Sequence, residues 1–122
     1  MTTLKTSLRI EKTPVGEGVA LTYKAKLSPG KIAKILLAKH KNYFNIDWIE
    51  VPKEFRDEGI ANSLMAQLLD DADGYSKVLR LVAVACGDVR QSRLERWYES
   101  YGFEEIGWND KLGGPIMERL PQ

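Results

Sequence analysis

The chain has 122 residues, 43% of them apolar and 29% charged, and a formal net charge of +1. This balance fits one globular domain over residues 1–122 with a single core. It excludes a membrane-spanning helix and any strongly basic field that would draw the chain to nucleic acid. One cysteine, Cys86, and one histidine, His40, leave no internal disulfide, too few ligands for an internal zinc site, and no spare histidine for a Ser-His-Asp arrangement. The lone thiol fits a reducing compartment and the start MTTLKTSLRI has no apolar signal core, so the expected location is the cytoplasm.

Residues 1–6 read as a loose start, and Ser7 to Lys12 as a strand with Leu8 and Ile10 on one face. Pro14 to Gly18 reads as a turn. Val19 to Leu27 alternates, with Val19, Leu21, Tyr23, Ala25 and Leu27 on one side, and so predicts a strand. Ser28-Pro29-Gly30 is hairpin-turn chemistry. Lys31 to Lys39 fits both a helical stripe and a buried strand; the short turns that bracket it favour the strand. Tyr43 to Val51 is rich in aromatic and β-branched residues and predicts a strand, ended by Pro52, which has no N–H to give a ladder.

Gly59 to Asp71 predicts a helix with Ile60, Leu64, Leu68 and Ala72 on one stripe, widened by Met65 and Leu69 and closed by Asp73-Gly74. Val78 to Cys86 is almost wholly apolar, as a central strand covered on both faces would be. Gln91 to Tyr101 predicts a second helix, stopped by Gly102 at C′. Phe103 to Trp108 and Pro115 to Leu120 read as closing strands. The order is β-β-β-β-α-β-α-β-β, an α/β chain of α+β type with a mixed sheet. Its Tyr43–Cys86 unit should be a right-handed crossover between parallel strands, and its first four strands can be antiparallel.

Within that order, Val51 to Asp71 runs from a strand through a proline-led turn and Arg56-Asp57-Glu58-Gly59-Ile60-Ala61 into a helix. A helix N-terminus presents unpaired N–H groups and partial positive charge, and a glycine lets backbone approach a phosphate. The stretch is therefore a candidate anion site.

Three stretches together resemble the GNAT superfamily of N-acetyltransferases. They are Val51-Pro52 with Arg56 and Gly59-Ile60-Ala61, then Leu94 to Phe103 with its Tyr-x-x-x-Gly-Phe ending from Tyr98 to Phe103, then the closing strand Ile116 to Leu120. The resemblance covers roughly residues 43–120 and implies a fold with two splayed central parallel strands, here Trp48–Val51 and Val82–Cys86. It implies that acetyl-CoA, or another short acyl-CoA, is the co-substrate and that no metal takes part. The pyrophosphate would lie on the N–H groups of Asp57, Glu58, Gly59, Ile60 and Ala61 with Arg56 in support. Pantetheine would pair with the backbone of Ile49 and Val51, and Gln91 stands where the family frequently has an Asn against the pantetheine arm. Tyr98 matches the tyrosine that acts as general acid toward the leaving thiolate, or is a core tyrosine with a hydrogen-bonded hydroxyl.

The base is less determined. Where the family often has a Glu or His, this chain has Asn45, which takes no proton, and Asp47. Alternation puts Asp47 on the face of Ile49 and Val51, with Glu50 pointing the other way beside the splay. A carboxylate is a weak base toward an ammonium, so either would work through water. Asp57-Glu58 departs from the basic or small residues common at that point and should face solvent. Cys86 near the thioester suits a small buried hydrophobe better than an acyl carrier. Arg90, Arg93 and Arg96 read as a solvated face, and His40 as an exposed turn residue.

One departure is larger. The family has two helices between its first and second strands, whereas about six residues separate Lys12 from Val19, fewer than the about 11 of a typical helix. The chain is thus expected to be a short form with an open acceptor side, suited to a peptide or protein amine or to completion by a second copy in a homodimer. The implied function is transfer of an acetyl group from acyl-CoA to a primary amine by direct attack in a ternary complex. The competing one is an idle fold used as a binding or inhibitor protein.

Overall fold

The computed structural model describes residues 10–15, 20–28, 30–87 and 89–122. Four strands, β1 (Ile10–Val15), β2 (Ala20–Ser28), β3 (Lys31–Lys39) and β4 (Phe44–Glu50), form an antiparallel meander. β5 (Leu79–Val82) joins β4 in parallel, and β6 (Glu104–Asn109) and β7 (Gly114–Arg119) close the sheet. The strand order is β1-β2-β3-β4-β5-β7-β6. Helix α1 (Ile60–Gly74) links β4 to β5, and α2 (Gln91–Glu99) links β5 to β6.

Period two settles the ambiguous Lys31–Lys39 segment as strand: Ala33, Ile35 and Leu37 are buried while Ile32 is exposed. β2 contributes Tyr23 and Ala25 to the same core face, and α1 buries Ile60, Leu64, Met65, Leu68, Leu69 and Ala72 against it. Arg119, 4% exposed, ties the end of β7 to both helices. Its guanidinium binds Asp73 Oδ1 and Oδ2 at 2.7 and 3.1 Å, and its Nε donates to the Tyr101 carbonyl at 2.7 Å. Asn62 Oδ1 accepts from Trp97 Nε1 at 2.8 Å and from the Tyr101 hydroxyl, pinning α2 to the start of α1.

Gly102, at φ 97°, ends the second helix as expected. Phe103 N–H donates to the Tyr98 carbonyl at 3.3 Å and Gly102 N–H to Glu99 at 2.9 Å, the two bonds of a Schellman cap. The Tyr98 and Phe103 rings meet edge-on at 5.7 Å, the apolar contact that accompanies such a cap.

Three expectations are corrected. Pro14 and Val15 belong to β1, not to a turn; an edge strand tolerates a residue without N–H. Of the Ser7–Lys12 segment, residues 7–9 lie outside the described residues, as do Val19 and Pro29 of the following segments. Asp73 and Gly74 lie inside α1, which runs to Gly74. The central strand ends at Val82 rather than Cys86. After Ala83 N–H donates to the Pro115 carbonyl at 3.0 Å, the ladder to β7 stops one residue short of that strand's start at Gly114, and β4 has diverged on the other side. An apolar run alone does not hold a strand that has lost both neighbours.

Only residues 16–19 lie between β1 and β2. Both helices pack on one face, and among the described residues no helix covers the other. Cross-strand partners share a face, so Lys24, Lys34, Leu36, Trp48, Arg80 and Glu118 all lie on the uncovered side.

Candidate functional site

β4 and β5 pair only through Phe44–Leu79 and Asn45–Arg80. Beyond that point they part. The cause is local: Leu36 pairs Trp48 and Leu37 pairs Ile46, leaving Asp47 as an extra residue on β4. A bulge of this kind bends and twists its strand. The edge of β4 from Asp47 onward, which carries Ile49 and Val51, therefore faces β5 across a cleft with no ladder between them.

At the mouth of the cleft, Pro52 opens a short 3-10 turn, Lys53–Phe55, with Phe55 N–H donating to the Pro52 carbonyl at 2.9 Å. Asp57 (φ 65°) and Gly59 (φ 78°) then turn the chain through the left-handed region, which Gly enters freely and Asp tolerates better than most. The first helical bond of α1 is Ser63 N–H to Gly59 carbonyl, 3.0 Å. No side chain caps this helix and its first turn has no acidic residue. Its leading N–H groups are thus left for an outside acceptor, with the helix dipole behind them. Asp57 and Glu58 are exposed, as expected. Arg56 Nε donates to the Val51 carbonyl at 3.3 Å, which anchors the guanidinium beside the strand end.

Tyr98 lies on the other wall. It is 7% exposed, and burial, with a smaller contribution from the nearby Cys86, pushes its hydroxyl up to about 12. That hydroxyl makes no hydrogen bond to any described residue. A phenol so placed stays protonated at neutral pH. Cys86 is exposed, not buried, and its Sγ lies 3.8 Å from the Val84 carbonyl.

Gln91 makes three hydrogen bonds within the chain. Its Nε2 donates to the Ala83 carbonyl at 2.8 Å and to Glu95 Oε2 at 2.7 Å, and its Oε1 accepts from Ala85 N–H at 2.9 Å. Both amide protons are engaged, so Gln91 clamps the irregular segment after β5. The apolar run hid this, because a strand would have met its own backbone needs.

The carboxylates also sit differently. The bulge breaks alternation, so Asp47 is not on the face of Ile49 and Val51. Ile46, Ile49 and Val51 turn to the core, while Asp47, Trp48 and Glu50 are exposed. Asp47 Oδ1 accepts from Asn45 Nδ2 at 2.7 Å, and Glu50 Oε1 accepts from Trp48 Nε1 at 3.0 Å. Asp47 and Glu50 thus share the uncovered side of the sheet, at the end of β4 nearest the cleft. Arg90, Arg93 and Arg96 are exposed as expected, and exposed His40 stacks on Tyr43 at 4.7 Å.

Sequence reasoning missed the row beside Glu50. Lys24 pairs Lys34, and Lys34 pairs Glu50, across three strands. Counting outward from the Ser28–Gly30 turn would have found the two lysines, since hairpin register follows from the turn.

No protein-family model matches the chain, and no curated protein matches it. Solved structures do. A GNAT family acetyltransferase from Elizabethkingia anophelis, with acetyl-CoA bound, superposes at a TM-score of 0.68 with 16% identity, covering 93% of this chain and 97% of that one. The ribosomal-protein-S18-alanine N-acetyltransferase of Escherichia coli matches at 0.67 with 20% identity, over 88% of this chain and 73% of that one. The anti-CRISPR protein AcrVA5 matches at 0.60 with 24% identity, over 80% of this chain and 96% of that one. The chain has the fold of the GNAT acetyltransferases.

Proposed function

We propose that this protein is an acyl-CoA-dependent N-acetyltransferase acting on a primary amine carried by a peptide or protein. The observation that carries the proposal is the conjunction of a β4 edge with no ladder to β5, an α1 N-terminus without a side-chain cap at its mouth and a protonated tyrosine on its far wall whose hydroxyl bonds no described residue. A thioester supplies an activated acetyl carbon, and each of the three features meets one of its needs. The N–H groups of residues 57–61 and Arg56 hold the pyrophosphate. The backbone of Ile49 and Val51 takes the pantetheine arm as an added strand. Tyr98 donates a hydrogen bond to the leaving sulfur. Full proton transfer from a phenol near 12 to a thiolate whose acid is near about 8.5 is uphill, so Tyr98 stabilises the thiolate and the attacking amine's own proton balances it.

That proton leaves through water to Asp47 or Glu50, both exposed at the end of β4. The amine nitrogen forms its bond to the acetyl carbon as the carbon–sulfur bond breaks. The sheet face that no described helix covers suits an acceptor larger than a metabolite, and the likeness to an enzyme described as acting on a ribosomal protein alanine favours a protein-borne amine. Calorimetry should give acetyl-CoA binding in the micromolar range or tighter; no binding at saturating protein would sink the proposal.

The likeness to an anti-CRISPR protein, together with carboxylates that are both open to water, favours a second reading, a binding or inhibitor protein. Acetyl-CoA binding without acetylation of a broad amine panel would select it.

A further inference from the structure

The side of the sheet that no described helix covers carries a row of charge, of which the acetyl-transfer chemistry uses only Glu50. Lys24 and Lys34 stand directly opposite each other on β2 and β3, and Lys34 stands opposite Glu50 on β4. Like charges in that relation repel. Neither lysine makes an ion pair with a described residue. The neighbouring charges are committed elsewhere: Glu11, opposite Lys24 on β1, pairs with Lys26 at 3.9 Å, and Lys31 pairs with Glu54 at 2.9 Å. Glu50 is held by the Trp48 indole at 3.0 Å. Lys24, Lys31, Ile32, Lys34, Glu50 and Pro52 line one cavity of about 490 Å³. The face is therefore polar along a line, cationic over β2 and β3 and anionic at Glu50 and Asp47 on β4, where the cleft opens.

We infer that Lys24 and Lys34 select the acceptor, a peptide or protein amine flanked by acidic residues, by taking its carboxylates while the amine lies toward Glu50 and Asp47. The inference rests on the acetyltransferase reading and adds a substrate class to it. Neighbouring strands lie about 4.8 Å apart, so the two lysines sit roughly one and two strand spacings from Glu50. An extended peptide rises about 3.3 Å per residue, which puts the matching acidic residues within about three positions of the acceptor amine. A ligand carboxylate supplies the counter-charge that this pair of half-buried lysines lacks among the described residues.

The test is a set of peptides of one length with acidic, neutral or basic residues within three positions of the free amine. Thiol release from acetyl-CoA gives kcat/KM, and calorimetry gives peptide binding independently of turnover. The acidic set should be preferred at least tenfold, with the preference falling as salt rises. Lys24→Glu should abolish the preference through KM while leaving acetyl-CoA affinity unchanged. Lys24→Glu/Lys34→Glu should turn the preference toward basic peptides. Equal kcat/KM and equal binding across the wild-type set would overturn the inference. So would a loss of acetyl-CoA affinity in either variant, which would assign the lysines to the co-substrate. Binding of acidic peptides without acetylation of any would keep the lysine assignment and remove the enzyme reading on which it stands.

Discussion

Tyr98 and Arg119 show how burial changes what a polar side chain does. Burial pushes the Tyr98 hydroxyl up to about 12, so at neutral pH it keeps its proton. Tyr98→Phe removes the hydroxyl and little packing. It should slow turnover by about 10²-fold or more and leave acetyl-CoA affinity within about twofold of the parent. Unchanged turnover would return Tyr98 to a purely structural role. Arg119 is the reverse case, a buried charge satisfied by Asp73 and the Tyr101 carbonyl. Arg119→Met leaves both partners uncompensated and should cost about 3 kcal/mol in urea unfolding. A change under about 1 kcal/mol would mean that water reaches the site and replaces the guanidinium.

At the level of elements, the cleft is made by what ends its two strands. β4 bends at Asp47, and β5 ends at Val82, with one more bond to β7 from Ala83 N–H to the Pro115 carbonyl. Gly114 sits at that corner: a Cβ there would meet the Ala83 carbonyl oxygen at 2.4 Å, so Gly114→Ala must push the two strands apart and should destabilise the fold by about 1–3 kcal/mol. Gln91 holds the segment after β5 by bonds to Ala83 and Ala85. Gln91→Leu keeps the volume and removes those bonds. It should weaken acetyl-CoA binding about tenfold, read by calorimetry, with α2 intact by circular dichroism. Unaltered affinity would show that the clamp does not shape the cleft.

Across the whole molecule, titration ties the sheet to α1. Hydrogen bonds from Arg119 hold the Asp73 carboxyl below its ordinary value of 3.8. Burial raises Asp71, but hydrogen bonds from Tyr23, Lys12 and Gln67 together outweigh it and leave that carboxyl lowered too. With native values depressed, the unfolded chain binds more protons in this range, so stability rises with pH there. The contribution is present above the unfolded value of 3.8 and is lost as pH falls through the native ones. Tyr23 works in the opposite sense. Burial first, and its bond to Asp71 second, raise its hydroxyl above the ordinary 10.0, so its contribution is present below pH 10 and lost above it. The urea midpoint should therefore fall on both sides, below about pH 4 and above about pH 10. A midpoint unchanged between pH 5 and 3 would show that these carboxylates do not link sheet to helix.

Much of this was legible in the chain because it depends on near neighbours. Alternation from Leu21 to Leu27, the i, i+4 stripe of Ile60, Leu64 and Leu68, and the stop at Gly102 each follow from backbone geometry over a few residues, and their order implied a mixed sheet, whose splay only the family resemblance suggested. The anion loop was legible for the same reason: a glycine turn entering a helix is a local device. The details of the site were not local. The bulge that turns Asp47 away from Ile49 is a matter of register against β3, and the end of β5 depends on where its neighbours β4 and β7 cease to pair with it. Gln91 found its partners only because those two strands had parted. Residue order determined the elements and the cleft they could form. Contacts between segments far apart in the chain decided which side chains face it, because register and strand ends are settled by partners that no single stretch contains.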